Sequence, residues 1–126
     1  MGFREVRGIE FSPVLYEAAR KTCARFQDRT GNSTKIKLFL ADAIDIHSIG
    51  DEEVFFLFNP FDANTLKQLL KNIQVSIRQH PRRVWLIYHN PVHKHVIETF
   101  DDFVRAMELD VWGHDFAVYI SDLNTV

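Results

Sequence analysis

Glu10, Asp42 and the tripeptide Asn59-Pro60-Phe61 stand within two residues of an apolar run, as does Asn90. That spacing puts carboxylates and amides where strands end, and ligands of open α/β sheets bind at the carboxyl ends of strands. An ionised carboxylate is acceptor-only and can be bidentate, so Glu10 suits the vicinal hydroxyls of a ribose. Asp42 can accept from the exocyclic amine of an adenine while Ala43 offers a backbone donor. The Asn59 side-chain oxygen, with nearby carbonyls, can accept from a nucleophilic amine and orient its lone pair; Pro60 would fix the approach and Phe61 would pack over the group. Each position has a plainer alternative. Glu10 could be a solvated acid or a helix N-terminal charge, Asp42 an Asx turn or cap, and Asn59-Pro60-Phe61 a turn followed by a core aromatic.

The elements that must position these residues alternate along the chain as strand, helix, strand, strand, helix, strand, the rhythm of an α/β sheet covered by helices. Glu5 to Glu10 reads as a strand. Ser12 can cap and Pro13 can open a helix whose stripe Val14, Leu15, Ala18, Ala19, Cys23 and Phe26 follows the helical period, ending before Thr30-Gly31-Asn32-Ser33. Ile36 to Leu40 is the next strand. Val54 to Phe58 has no polar position, which predicts a central strand buried on both faces. Leu66, Leu69, Leu70, Ile73 and Ile77 mark a second amphipathic helix, and Val84 to Tyr88 a further buried strand. Pro91 to Phe103 is predicted helical. Leu109 to Trp112 and Phe116 to Ile120 form a closing antiparallel hairpin around Gly113.

The chain has 126 residues, 46% of them hydrophobic, and a formal net charge of -2, which suits one domain over residues 1–126 and gives no bulk attraction to nucleic acid or membrane. Lys67, Lys71, Arg78, Arg82 and Arg83 read as a solvated face without the aromatic interleaving of a nucleic-acid groove. The apolar runs are strand-sized, with no membrane span and no export signal. The single Cys23 permits no internal disulfide and fits a reducing compartment, the cytoplasm by default; its place on a helical stripe makes it a small core residue. His89 and His93 are four apart, but Pro91 intervenes, and His93 and His95 would point apart on a helix. These read as surface groups, with His89 lining a pocket, and no metal site is expected.

In the order and spacing of Gly8-Ile9-Glu10-Phe11-Ser12, Ala41-Asp42-Ala43 and Asn59-Pro60-Phe61, the chain resembles the class I S-adenosylmethionine-dependent methyltransferases over nearly its whole length. The resemblance implies a Rossmann-like, mostly parallel sheet with flanking helices and a C-terminal antiparallel hairpin. It implies that Glu10 binds the cofactor ribose, that Asp42 and Ala43 meet the adenine, and that Asn59, Pro60 and Phe61 form the transfer site. The family motif after its fourth strand often has two prolines; the single Pro60 leaves oxygen and carbon nucleophiles open beside amines. The family's first strand and Gly-rich loop have no counterpart, because only nine residues precede Glu10. The expectation is therefore a truncated domain with impaired cofactor binding, acting on an unidentified methyl acceptor. In that family the first strand lies between the second and fourth, so its loss would leave unpaired backbone edges. The rival expectation is a non-catalytic remnant that self-associates through those edges.

Overall fold

The computed structural model describes residues 4–32, 34–45, 49–58 and 62–122, with the side chains of residues 45 and 58 left out. The chain divides into two compact units, Met1–Ile46 and His47–Val126.

In the first unit, β1 (Glu5–Glu10) leads through helix α1 (Pro13–Thr30) to β2 (Lys35–Leu40) and a 3-10 turn at Ala43–Asp45. Local chemistry sets these boundaries. Ser12 is extended and its hydroxyl accepts from the Leu15 N–H at 3.4 Å, while Pro13, lacking an N–H, occupies the first helical turn where none is needed. At the other end Gly31 takes the left-handed conformation, φ 61°, and its N–H reaches the Gln27 carbonyl at 2.9 Å. β1 and β2 pair in parallel from Glu5 against Lys35 to Glu10 against Leu40. Gly8 lies opposite Leu38, and a Cβ there would stand 2.8 Å from Leu38 Cδ2, the tip of a flexible side chain that would have to turn aside. The stripe expected to bury α1 does not do so: Val14 is 78% exposed, Leu15 and Phe26 are exposed, and Cys23 is half-buried. Among the described residues of this unit only Ala43 is buried.

The second unit runs β3 (Val54–Phe58), α2 (Ala63–Gln79), β4 (Trp85–His89), the single turn α3 (Lys94–Ile97), β5 (Phe103–Val111) and β6 (His114–Ser121). Its sheet has the order β3-β4-β6-β5; β3 and β4 are parallel, and β6 is antiparallel to both neighbours. Asp62 caps α2 by accepting from the Thr65 N–H at 2.7 Å. The predicted stripe of α2 is buried throughout, and with Val96 and Ile97 of α3 it packs on Leu57, Leu86, Tyr88, Ala117 and Tyr119. A tie holds this assembly at the start of β3. Arg82 donates from Nε to the Glu52 carbonyl at 2.9 Å, from Nη1 to the His80 carbonyl at 2.9 Å and from Nη2 to Ser76 Oγ at 3.0 Å. Ser76 in turn donates to the Gly50 carbonyl at 3.0 Å. Arg82 is thus a structural clamp rather than part of a solvated face.

Three expectations are corrected. β3 stands at an edge of the described sheet and is buried on one face only: Leu57 is covered by the helices, whereas Phe56 on the opposite face is 59% exposed. The apolar composition was read as two-sided burial, but in this unit the helices cover a single face, and Val54, Val104, Met107 and Leu109 are also exposed. The helix predicted over residues 91–103 shrinks to one turn. Thr99 turns its hydroxyl back to the Val96 carbonyl, a competition that disfavours continued helix, and Phe103 is claimed by the sheet, opposite Ser121. The hairpin is consequently longer than expected, starting at Phe103 instead of Leu109. Its two-residue tip, Trp112 (φ 52°) and Gly113 (φ 79°), has the paired positive φ angles of a twisted hairpin turn, and Asp110 Oδ1 accepts from the Gly113 N–H at 2.9 Å.

Candidate functional site

Parallel pairing of β1 and β2 brings two of the predicted carboxylates to one end of the two-stranded sheet. Glu10 is the last residue of β1, opposite Leu40, and Asp42 lies two residues beyond that position on the neighbouring strand. The Ala41 N–H donates to the Glu10 carbonyl at 3.0 Å, which fastens the chain between them to the end of β1.

Each carboxylate also has a local duty. Glu10 Oε1 accepts from the Ser12 N–H at 3.1 Å, and Asp42 Oδ1 accepts from the Ile44 N–H at 3.1 Å in an Asx turn. The plainer alternatives are therefore realised, yet each uses one oxygen. Neither second oxygen has a partner among the described residues. Both side chains are half-buried, oriented by a backbone donor and able to accept further hydrogen bonds. Ala43 opens the 3-10 turn, so its N–H has no intrahelical acceptor.

Asn59, Pro60 and Phe61 lie outside the described residues. In sequence they fill the interval between Phe58, the last residue of β3, and Asp62, the cap of α2.

The carboxyl end of β4 carries a cluster that the sequence reading did not assemble. His89 pairs across the ladder with Phe116, and their rings stack at 4.6 Å with planes 15° apart. His89 Nε2 lies 3.1 Å from His114 Nδ1, and the Phe56 ring stands 6.5 Å away on the same face. Asn90, exposed and at φ 51°, follows; its N–H donates to the Asp115 carbonyl at 2.8 Å. A positive φ at a non-glycine residue is a strained conformation that ligand sites often hold. His89 was singled out from sequence, but its partner His114 is 25 residues away and only the β4–β6 register joins them. His93 and His95 do not join it; their ring centroids are 5.9 Å apart near α3. A shallow open groove along α1, flanked by Val14, Lys21 and Arg25, contains none of the predicted site residues.

No family model and no curated protein sequence matches this chain. Solved structures do. A protein assigned as a methylase, HI0767 of Haemophilus influenzae, aligns over 94% of this chain and 73% of its own length, with a TM-score of 0.62 at 14% identity. The assigned methyltransferase yhhF of Escherichia coli aligns over 94% of this chain with a TM-score of 0.67 at 12% identity, and the chain spans only 63% of that protein. The N-methyltransferase NodS of Bradyrhizobium japonicum, solved with S-adenosyl-L-homocysteine, covers 93% of this chain with a TM-score of 0.58 at 8% identity.

The described fold is thus the Rossmann-like α/β fold of the class I methyltransferases, with its antiparallel hairpin at the C-terminal end. Among the described residues, no helix is long and apolar enough to cross a membrane.

Proposed function

We propose that this chain carries out, or derives its fold from a protein that carries out, methyl transfer from S-adenosylmethionine, with Glu10 holding the ribose and Asp42 and Ala43 the adenine. The observation that carries the reading is the pair of pre-oriented carboxylates at the carboxyl ends of parallel β1 and β2, each with an oxygen to spare. That donor set fits the nucleoside half of the cofactor: acceptor-only groups for hydroxyls and an amine, beside a backbone donor. The sulfonium of the bound cofactor would supply an already activated methyl group. The protein's own task is then to bind and orient. Glu10 and Asp42 fix the nucleoside, and Asn59, Pro60 and Phe61, following β3, would place the acceptor. The acceptor is an amine, oxygen or carbon nucleophile. A reducing compartment suits the unpaired Cys23, which assigns the reaction to the cytoplasm in this reading.

Calorimetric titration with S-adenosylhomocysteine tests it. Saturable binding is expected, weakened about tenfold or more by Glu10→Ala and by Asp42→Ala, each of which removes charge-assisted hydrogen bonds. Absence of binding by the unaltered chain, or full affinity in both variants, overturns the assignment.

A second reading is favoured by one observation: β1 has only β2 and β3 only β4 as a neighbour among the described residues. Such edges offer rows of backbone donors and acceptors for association with another copy. In that reading sedimentation velocity shows oligomers growing with concentration, while calorimetry shows no cofactor binding.

A further inference from the structure

The sheet face opposite α2 bears a close contact between two imidazole rings to which the methyl-transfer reading assigns no role. His89, on β4, and His114, the first residue of β6, approach diagonally across an antiparallel ladder, with Nε2 of one 3.1 Å from Nδ1 of the other. The planes are inclined by 58° and the centroids are 5.1 Å apart. His89 is held from one side by its stack on Phe116, and both rings rise from paired strands, so the nitrogens are brought together by register instead of by a flexible loop.

We propose that His89 Nε2 and His114 Nδ1 are the two protein ligands of a site for a late first-row divalent cation such as Zn²⁺ or Cu²⁺. The separation is the first argument. With metal–nitrogen bonds near 2.05 Å, nitrogens 3.1 Å apart subtend about 98° at a shared ion, between the square and tetrahedral angles these metals adopt. Such an ion would set the ring centroids about 4.8 Å apart, so the observed 5.1 Å needs only a small tilt of the imidazoles. Ligand chemistry is the second argument: neutral imidazole is a preferred donor for zinc, copper and nickel and a poor one for magnesium or calcium. In the metal-free pair one ring donates a proton to the other. Binding requires that ring to carry its proton on its other nitrogen instead, so a neutral pair takes up the ion without net proton release.

Among the described residues no group of three or more histidine, cysteine, aspartate or glutamate side chains is arranged around a metal position. From the described residues the site thus has two protein ligands, and water or a small chelating ligand would complete its coordination.

The test is a Cu²⁺ titration of the full chain followed by calorimetry and electron paramagnetic resonance. Expected are one equivalent of bound ion with coupling to two nitrogens, and a loss of affinity of about tenfold or more in both His89→Gln and His114→Gln, because either change removes the chelate. His93→Gln and His95→Gln should leave affinity unchanged. On the unaltered protein, Zn²⁺ should shift the ring-nitrogen NMR signals of His89 and His114 together, a readout that no variant's folding can disturb. Coupling to a single nitrogen, retention of full affinity in His114→Gln, or dependence on His93 and His95 would overturn the proposal.

Discussion

Truncating Arg82 should cost the second unit more than a surface arginine is usually worth, because this side chain ties three backbone segments together. Its guanidinium donates to the Glu52 carbonyl ahead of β3, to the His80 carbonyl at the end of α2 and to Ser76 Oγ, and Ser76, 3% exposed, donates onward to the Gly50 carbonyl. A hydrogen bond from a charged donor contributes about 1.5–3 kcal/mol when well shielded and less when water can replace it. The half-exposed Arg82 falls near the lower end for the whole fork, so Arg82→Ala is expected to destabilise by about 2 kcal/mol. Arg82→Lys keeps the charge but lacks the planar fork, and should lose about 1 kcal/mol. Ser76→Ala leaves the Gly50 carbonyl and the guanidinium facing a methyl group, a cost of about 1–2 kcal/mol. Because the two side chains share a bond, the double variant should fall short of the sum by about 0.5–1 kcal/mol. Urea unfolding followed by Trp85 fluorescence reads this out, since Trp112 is already 96% exposed. With a slope of about 1 kcal/mol/M, Arg82→Ala lowers the midpoint by about 2 M. A shift under about 0.5 M, or strict additivity with Ser76→Ala, would refute the clamp.

Other perturbations follow from single features. Gly31→Ala forces a Cβ into φ 61° with no neighbouring atom within 4 Å to clash, so its cost of about 1 kcal/mol is wholly conformational, and Gly31→Asn should cost less in a thermal melt. Burial, and then the nearby Glu98 carboxylate, push the Tyr119 phenol up to about 12. Because its folded value lies above the unfolded one of about 10, its contribution is intact below pH 10 and declines as pH rises through about 12; spectrophotometric titration should show one phenol ionising only in that upper range. Amides of β1, α1 and β2 should exchange with deuterium faster than those of α2 and β4, since among the described residues of the first unit only Ala43 is buried, while five apolar side chains of α2 are 3% exposed or less. Equal protection in the two units would contradict that ranking.

What the sequence disclosed, and what it hid, follows from the range of the interactions involved. Ser12, Pro13 and Gly31 act on neighbours a few residues away, so α1 was legible to within a residue at each end. The period of Leu66, Leu69, Leu70, Ile73 and Ile77 likewise declared the buried face of α2. Val54 to Phe58 misled because composition reports the capacity to be buried, whereas burial itself depends on what packs there. Phe103 could not be assigned from its own surroundings, since its strand state is set by Ser121 across the ladder. For the candidate site, Glu10 and Asp42 were readable as strand-end acids, but that each would spend one oxygen on a local N–H was not. His114 was illegible as a partner of His89 because nothing short of the β-ladder register specifies their approach.

The tip at Trp112 and Gly113 bears on the order in which the second unit assembles. Positive φ at both tip residues and the Asp110 bond to Gly113 bias the chain towards reversal before any distant contact exists. The β5–β6 hairpin joins residues close in sequence, so its closure entropy is small, whereas β3 must meet β4 across the whole of α2. Once formed, the hairpin presents β6 as a template against which β4 can dock antiparallel, and β3 can then add to β4. The hairpin strands, latest of the four in sequence, would in this way nucleate the sheet that β4 and β3 join.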